Sequence, residues 1–464
     1  MKSVAIIGAG ITGLTAAFYL KRRGIDVTVF EAASRPGGAI QSSRRDGFLA
    51  ESGPNTILES SPKISQFIGD LNLAARKIHP DLNAKKRFLV RDGKIRAMPV
   101  SPLGFLTTKL FSTKAKLAVL REPFIPARRD GQDESVAEFV TRRLNREFLE
   151  RAINPLVAGI YAGDPAQLSV QQAFPRLFQA EQKYGSLIRS QIFGARDRKK
   201  SGEIPRSQAT LFSFDEGLQV LTGALAAQLG EALKLNFAVT KIVQNETGWK
   251  IHFPAGQMFE TEFDAVIFCG TAHKLAKLEI ENSSFSPAAG TEKIDVSAFS
   301  EIRHPPVASV VLGFRRDQVL HPLDGFGVLI PKIENRKILG TIFSSSLFPN
   351  RAPRDHVMLT NYVGGERQPE LAALPPDKLV QLVSADLRTL LGVEGKPVFQ
   401  NVALYPQAIP QYNIGYGKFK ARLEAIETQV RGLFFAGNYR HGISLGDSIV
   451  SGFDTAGRLT DFLK

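Results

Sequence analysis

Residues Val4–Glu31 read VAIIGAGITGLTAAFYLKRRGIDVTVFE. Val4, Ala5, Ile6 and Ile7 form an apolar run too short for a helix and right for a strand buried on both faces. Gly8, Gly10 and Gly13 follow in GxGxxG spacing. Leu14, Ala17, Phe18 and Lys21 then recur at helical intervals up to Gly24, a residue suited to a helix C-terminus. A second strand, Asp26 to Phe30, ends on Glu31, close to the distance at which a ribose-binding acid belongs. Each position has a physical task. Gly8 permits the tight turn, Gly10 admits a diphosphate against bare backbone, and Gly13 lets helix and strand pack closely. The diphosphate then rests on the positive helix end, and Glu31 accepts from the ribose hydroxyls. A glycine triplet alone is weak evidence; here a strand, a helix and a well-placed acid surround it, which makes a dinucleotide-binding unit. Val4–Leu20 is also uncharged, but glycines interrupt it and Lys21-Arg22-Arg23 stand where a leader's cleavage site needs small residues, so no secretory leader is expected.

A chain of 464 residues is long enough for more than one domain. Hydrophobic content of 43% with 22% charged residues fits a folded protein rather than a disordered one. The single cysteine, Cys269, excludes an internal disulfide and a cysteine metal cluster and fits a reducing cytoplasm. No uninterrupted apolar run approaches the roughly 18 residues of a spanning helix. The net charge of +14 is uneven: residues 85–129 carry twelve Lys/Arg against two acids, Asp92 and Glu122. Leu103, Phe105, Leu106, Leu110, Phe111, Leu117 and Leu120 are interleaved with that charge, a pattern suited to an anionic lipid surface or an anionic ligand. No nucleic-acid motif accompanies it, so nucleic acid is not an expected partner.

Past Glu31, Arg35 and the paired Gly37-Gly38 suggest further backbone amides and a cation near the phosphates. Glu51-Ser52-Gly53-Pro54-Asn55-Thr56 reads as a rigid polar turn, either facing a ring system or a plain loop. Residues 60–84 look helical, and Lys86–Val90 and Lys94–Met98 form a hairpin about Asp92-Gly93. Residues 101–200 read as helical and basic, broken at Pro123, Pro126, Pro155 and Pro165. Asn154–Gly159 is one such break, read as a turn or a close backbone approach to a ligand. Strand patterns return near Leu211, at Leu235–Val243 and at Trp249–Phe253, the last two assigned to the nucleotide domain. Asp264–Cys269 and Gly432–Ala436 are buried strands, each ending at a glycine, and a helix follows Gly446 with Ile449, Phe453, Ala456 and Leu459 on one face. The nucleotide domain is thus assembled from separated pieces, 1–84, 206–282 and 425–464. A long two-ring cofactor such as FAD, reaching from the first glycine turn to the last, explains that better than a nicotinamide does.

GAGITG with Glu31, Gly37-Gly38, GPNT at Gly53–Thr56 and FAGN at Phe435–Asn438 resemble the FAD-dependent protoporphyrinogen oxidases. The likeness extends through INPLVAGIYAGDPAQLS (Ile153–Ser169), GTIFSSSLFPNRAP (Gly340–Pro353) and AIPQYNIGY (Ala408–Tyr416). It implies an α/β fold: a discontinuous Rossmann-like FAD-binding domain, an α+β substrate-binding domain (85–100 and 283–424) and a helical, basic, membrane-associating domain (101–205). It also implies six-electron oxidation of protoporphyrinogen IX in haem biosynthesis, with oxygen re-oxidising the flavin. A cytoplasmic enzyme lying peripherally on the cytoplasmic membrane, a homodimer and handover to a ferrochelatase complete the expectation. By motif, Arg87 pairs with a substrate propionate, Phe343 stacks on a pyrrole ring, Leu329 forms the opposite wall, and the Gly159 carbonyl lies near the ring nitrogens. For non-covalent FAD the resemblance assigns Gly8, Gly10, Gly13, Glu31, Ala32, Gly38, Gly53, Pro54, Asn55, Thr56, Val239, Tyr405, Gly437, Ile443, Ser444 and Leu445. No side-chain acid, base or metal ligand is assigned.

A sister group oxidises coproporphyrinogen III and shares features like Ile160–Asp164 and Ala180–Lys183, while the Arg87 hairpin and Gly340–Pro353 favour the protoporphyrinogen branch. Flavin amine oxidases are the rival enzyme class, but Cys269 is far from the C-terminal tether some of them use. A flavin-stabilised porphyrin carrier is the non-enzymatic rival, distinguished by a flavin that its ligand does not reduce.

Overall fold

The computed structural model describes residues 1–200, 209–254, 259–282 and 292–464. Its centre is a five-stranded parallel sheet in the order Leu233–Leu235, Asp26–Glu31, Ser3–Ile7, Ala265–Phe268, Leu433–Phe435. The apolar runs are continuous because both faces are covered. Val4 and Ile6 point into a core shared with helices Ile11–Arg22, Gln219–Leu229 and Leu445–Leu463. Ala5 and Ile7 point into a second core with Phe139, Tyr161, Phe419 and Leu423. Strands from three separated stretches of the chain, 3–31, 233–268 and 433–435, thus meet in this one sheet.

Several boundaries differ for local reasons. The expected strand Leu235–Val243 is two strands, Leu233–Leu235 and Lys241–Gln244, parted at Asn236, whose φ of +64° turns the chain. Trp249 lies in a separate four-stranded sheet with Lys241–Gln244, Glu279–Asn282 and Glu292–Lys293, not in the parallel sheet. The helix expected over 60–84 covers Pro62–Asp70 and stops before Asn72 (φ +57°). The expected domain limit at 424/425 falls inside helix Gly417–Gln429, which buries Phe419, Leu423 and Ile426 beneath the parallel sheet. The limits at 205/206 and 282/283 reach outside the described residues.

A seven-stranded sheet joins the Arg87 hairpin to the later chain, in the order Phe399–Tyr405, Val307–Arg315, His356–Gly364, Ile338–Phe343, Gly327–Leu329, Arg87–Arg91, Lys94–Ala97. One face is sealed by helix Pro376–Leu391, through Leu379, Val383, Leu387 and Leu391. The opposite face looks toward the nucleotide sheet and the helices of residues 102–161.

Those helices are tied by buried charge. Arg143 Nε donates to Glu122 at 2.7 Å and its Nη1 donates to Glu181 at 2.7 Å, and neither Arg143 nor Glu122 has accessible side-chain surface. Burial alone would raise the Glu122 pKa, but the Ser186 hydroxyl, the Leu187 amide and Arg143 outweigh it and hold the carboxyl below its ordinary range. Phe105, Leu110 and Phe111 fold inward against Leu89 and Ala152, so part of the apolar pattern in the basic stretch is core. Among the described residues no helix is long and apolar enough to cross a membrane.

Candidate functional site

The glycine turn leaves an open floor of backbone. A Cβ on Gly13 would lie 2.0 Å from the Gly8 carbonyl oxygen, so helix and strand touch there without side chains. At Gly10, by contrast, a Cβ would meet nothing within 4 Å, and one on Gly38 would reach only the Gly10 Cα at 3.4 Å. The two glycine turns therefore lie side by side, joined by the Gly37 amide donating to the Ala9 carbonyl at 2.8 Å, with open space above Gly10. Glu31 accepts from the Ala9 amide at 2.8 Å and the Ala33 amide at 2.9 Å, which holds its carboxylate at the lip of the turn. Ala32 is exposed on the same lip. Asn236 and Phe237 donate to the Ala33 and Glu31 carbonyls, carrying the half-buried Val239 to that end of the crevice. Arg35 is used differently from the expected phosphate contact: its guanidinium donates to the Gly38 carbonyl at 2.8 Å and the Ile40 carbonyl at 3.1 Å, bracing the second turn.

The last glycine turn reaches the same crevice. Gly437 has φ +133°, and its amide donates to Ser451. Ser444 and Asp447 form a capping box at the start of helix Leu445–Leu463, next to Ile443. That helix crosses Ile11–Arg22 so closely that a Cβ on Gly452 would be 2.3 Å from the Thr12 carbonyl, which brings the two positive helix ends together. From Gly38 the path continues through Ala39 to Gly53, where a Cβ would lie 2.1 Å from the Ala39 carbonyl and 3.3 Å from the Tyr405 hydroxyl. Gly53, Pro54, Asn55 and Thr56 are half-buried along it. Bare backbone, a positioned carboxylate and two helix ends along one channel are a donor set that fits a flavin dinucleotide.

On the second sheet, residues directly opposite one another share a face. Leu329, Gly340, Tyr362, Ser309 and Ala403 make one row across five strands. Helix Asn154–Tyr161 lies over the row: a Cβ on Gly159 would be 2.7 Å from Leu329 Cδ2, so the structure brings these two expected residues together. Asn154–Gly159, expected as a break, is helical instead: helix Asn154–Tyr161 follows directly on a π-helical turn, Leu149–Ile153, and Pro155 stands in its first turn. Arg87 pairs with Gly327 in the neighbouring strand; its exposed guanidinium lies 5.7 Å from the Phe326 ring, with no carboxylate in ion-pair range among the described residues.

Phe343 is placed elsewhere. It is fully buried with Phe88 and His321 in the core beneath helix Pro376–Leu391, on the face opposite Leu329. Its strand neighbour Ile342 takes the opposite face and, like Phe326, packs against the cluster of Ala84, Leu347 and Phe348. The stacking wall expected at Phe343 is therefore corrected: strand alternation turns that ring away.

Two residues of the site carried no motif. Tyr362 accepts from the Asn55 side-chain amide at 2.6 Å, linking the flavin-side loop to the second sheet. Arg367 donates to the Ile330 carbonyl at 2.8 Å and to Asn154 Oδ1 at 2.9 Å, fixing the helix over the strand, and burial pushes its pKa down to about 10. Tyr362 joins Leu329 only through the pairing register with Gly340, which the sequence does not contain, and no sequence signal marks Arg367.

The sequence profile described as flavin containing amine oxidoreductase matches residues 11–460. The chain is 34% identical to protoporphyrinogen oxidase 2, chloroplastic/mitochondrial, of Arabidopsis thaliana, over 100% of this chain and 94% of that protein. It is 28% identical to the coproporphyrinogen III oxidase of Bacillus subtilis, over 97% of this chain and 96% of that protein. Among solved structures, the fold matches a protein of Exiguobacterium sp. 255-15 assigned as a protoporphyrinogen oxidase, with a TM-score of 0.81 and 24% identity over 100% of this chain and 99% of that one.

Proposed function

The chain belongs to the flavin-containing amine oxidoreductase family, and from that premise we propose that it oxidises protoporphyrinogen IX to protoporphyrin IX with oxygen as acceptor. It is an oxidoreductase with FAD as cofactor. Non-covalent attachment is supported by the sole cysteine: Cys269 is buried behind the glycine turn, and burial drives its thiol pKa upward, away from reactive thiolate.

The observation that carries the substrate reading is the apposition of Gly159 and Leu329 on the row that faces Asn55, with Arg87 free to pair at one edge. A broad, largely apolar macrocycle bearing carboxylates needs that combination: an apolar contact at Gly159 and Leu329, and one cation at the rim. Arg87 can hold a propionate in two directions through its guanidinium fork. Gly159 stands in the last turn of its helix, where carbonyls lack the usual amide four residues on, so its oxygen is available to pyrrole N–H groups. Bound FAD supplies the hydride acceptor; the chain's residues orient the macrocycle and exclude water.

The plant relatives support the protoporphyrinogen substrate; the full-length likeness to bacterial coproporphyrinogen III oxidases supports the sister reaction. Anaerobic mixing with each porphyrinogen while following flavin absorbance decides. Faster bleaching by protoporphyrinogen is expected. Preference for coproporphyrinogen moves the assignment to the sister reaction, and bleaching by neither removes it.

The helical segment supports peripheral membrane docking. Leu103, Leu106, Leu117 and Leu120 remain exposed among Lys109, Lys114 and Arg121, and Phe124 beside them is 81% exposed.

A further inference from the structure

Tyr362 stands in the row Leu329, Gly340, Tyr362, Ser309, Ala403 between small residues on both sides. It therefore rises from the sheet with nothing large beside it in that row. Its ring packs on Ala158 and Ala162 of the overlying helix and on Leu339, next to the Gly159–Leu329 contact. Its hydroxyl reaches the loop that continues from the glycine turns: Gly10 adjoins Gly38, Ala39 adjoins Gly53, and Asn55 donates to the phenol oxygen at 2.6 Å. The same Asn55 nitrogen lies 3.3 Å from the Gly53 carbonyl, which fixes the amide with nitrogen, not oxygen, toward Tyr362. The phenol oxygen is thus an acceptor from Asn55. Its own hydrogen has no acceptor among the described residues.

A largely enclosed hydroxyl that keeps its hydrogen unplaced is costly unless a ligand accepts it. Burial, with the neighbouring Tyr405 and Glu51, pushes the phenol pKa upward, so it remains a donor and does not act as a base. Of the two ligands expected in the cleft, the macrocycle offers N–H donors on its inner face and carries its carboxylates at the rim assigned to Arg87, three strands away from Tyr362. A flavin ring edge, by contrast, offers nitrogen and carbonyl acceptors. We propose that Tyr362 donates its phenolic hydrogen to the flavin ring and thereby raises the flavin's reduction potential. A donor at the ring favours the more electron-rich reduced form. The assignment rests on the flavoenzyme reading above and adds a specific ring contact to it.

The test uses the purified holoenzyme without porphyrinogen, so it is independent of which substrate is oxidised. Tyr362→Phe keeps the ring packing and removes only the hydroxyl. The variant should retain one FAD per chain while its flavin becomes roughly tenfold harder to reduce, a shift of ~30 mV to lower potential in dye-equilibration titrations, with a displaced absorption maximum. If FAD is retained but potential and spectrum match wild type, the phenol does not contact the ring, and the proposal is overturned even if porphyrinogen bleaches the flavin. A purely structural role would change FAD affinity or thermal stability and leave the potential in place. Should Tyr362→Phe fail to fold, 3-fluorotyrosine incorporated at position 362, a stronger donor of nearly the same shape, should raise the potential; no rise overturns the proposal. Failure of any porphyrinogen to bleach wild-type flavin would refute the substrate reading alone.

Discussion

Gly159→Ala separates the two tasks assigned to that position. In the fold, alanine gains helix propensity of at most ~1 kcal/mol over glycine, and less near a helix end. Against this, the new methyl would start 2.7 Å from Leu329 Cδ2, too close to stay. That atom is the tip of a half-buried side chain rather than backbone, so Leu329 can turn aside for ~0.5–1.5 kcal/mol of rotamer strain. The two effects nearly cancel, and the melting temperature of the holoenzyme should move by no more than about 2 °C. For the substrate there is no such compensation. The methyl, or the displaced leucine, enters the space a flat ring would fill, and overpacking of that kind costs ~1–3 kcal/mol, or about 5- to 150-fold in affinity. Thermal melts, FAD content and steady-state kinetics on one preparation check this. Normal FAD with an intact melt and a KM raised at least several-fold is the expected result. An unchanged KM would remove Gly159 from the ring site, and a stability loss beyond ~3 kcal/mol would show that Leu329 has no room to yield.

Arg87→Ala should weaken substrate binding about tenfold with FAD content intact, the low end for losing a charge-assisted contact; unchanged substrate binding in flavin-reduction titrations would exclude it. Lys86 is a poor substitute, because it already pairs with Asp324. Glu122→Gln leaves Arg143 buried with Glu181 as its remaining carboxylate, so a loss of ~3 kcal/mol is expected in denaturant unfolding, and a loss under ~1 kcal/mol would mean the pair is dispensable. Burial, reinforced by His304, Lys274 and Lys277, lowers the His273 pKa to about 4. Between pH 6.5 and about 4 the unfolded chain therefore binds a proton that the native protein refuses, and stability falls as pH falls. His273→Gln should flatten that slope in melts from about pH 7.5 to 4.5, and an identical slope would assign the acid sensitivity elsewhere. Co-sedimentation with anionic vesicles should drop when Lys109 and Lys114 become glutamate, at ~1 kcal/mol per basic residue near the surface. Lys116 is a weaker target, since its ammonium already donates to the Leu106 and Thr108 carbonyls, and indifference of wild type to anionic vesicles at low salt would refute docking.

What was legible in the sequence is what local physics dictates. The Val4–Glu31 unit follows from glycine sterics and a double-sided strand pattern, and the Arg87 hairpin follows from Asp92-Gly93, both of which adopt positive φ. The cleft required facts that local pattern does not contain. Val328, Ile330, Thr341 and Phe343 are as apolar or as β-branched as their cleft-side neighbours, because this sheet is covered on both faces, so composition cannot say which set faces the ligand. A register shift between Ile338 and Gly340 then lets Leu339 face the helix over the cleft and alters the alternation of that strand. A motif can therefore identify the strand of the site and still choose a residue that faces away from it, as with Phe343. Tyr362 and Asn55 are 307 positions apart in the chain, and their contact exists only after the nucleotide sheet has closed from its separate pieces. The same closure makes the hydroxyl informative: a tyrosine on a strand is unremarkable in sequence, but one that accepts from the flavin-side loop and retains an unplaced hydrogen identifies the side of the cleft that needs an acceptor.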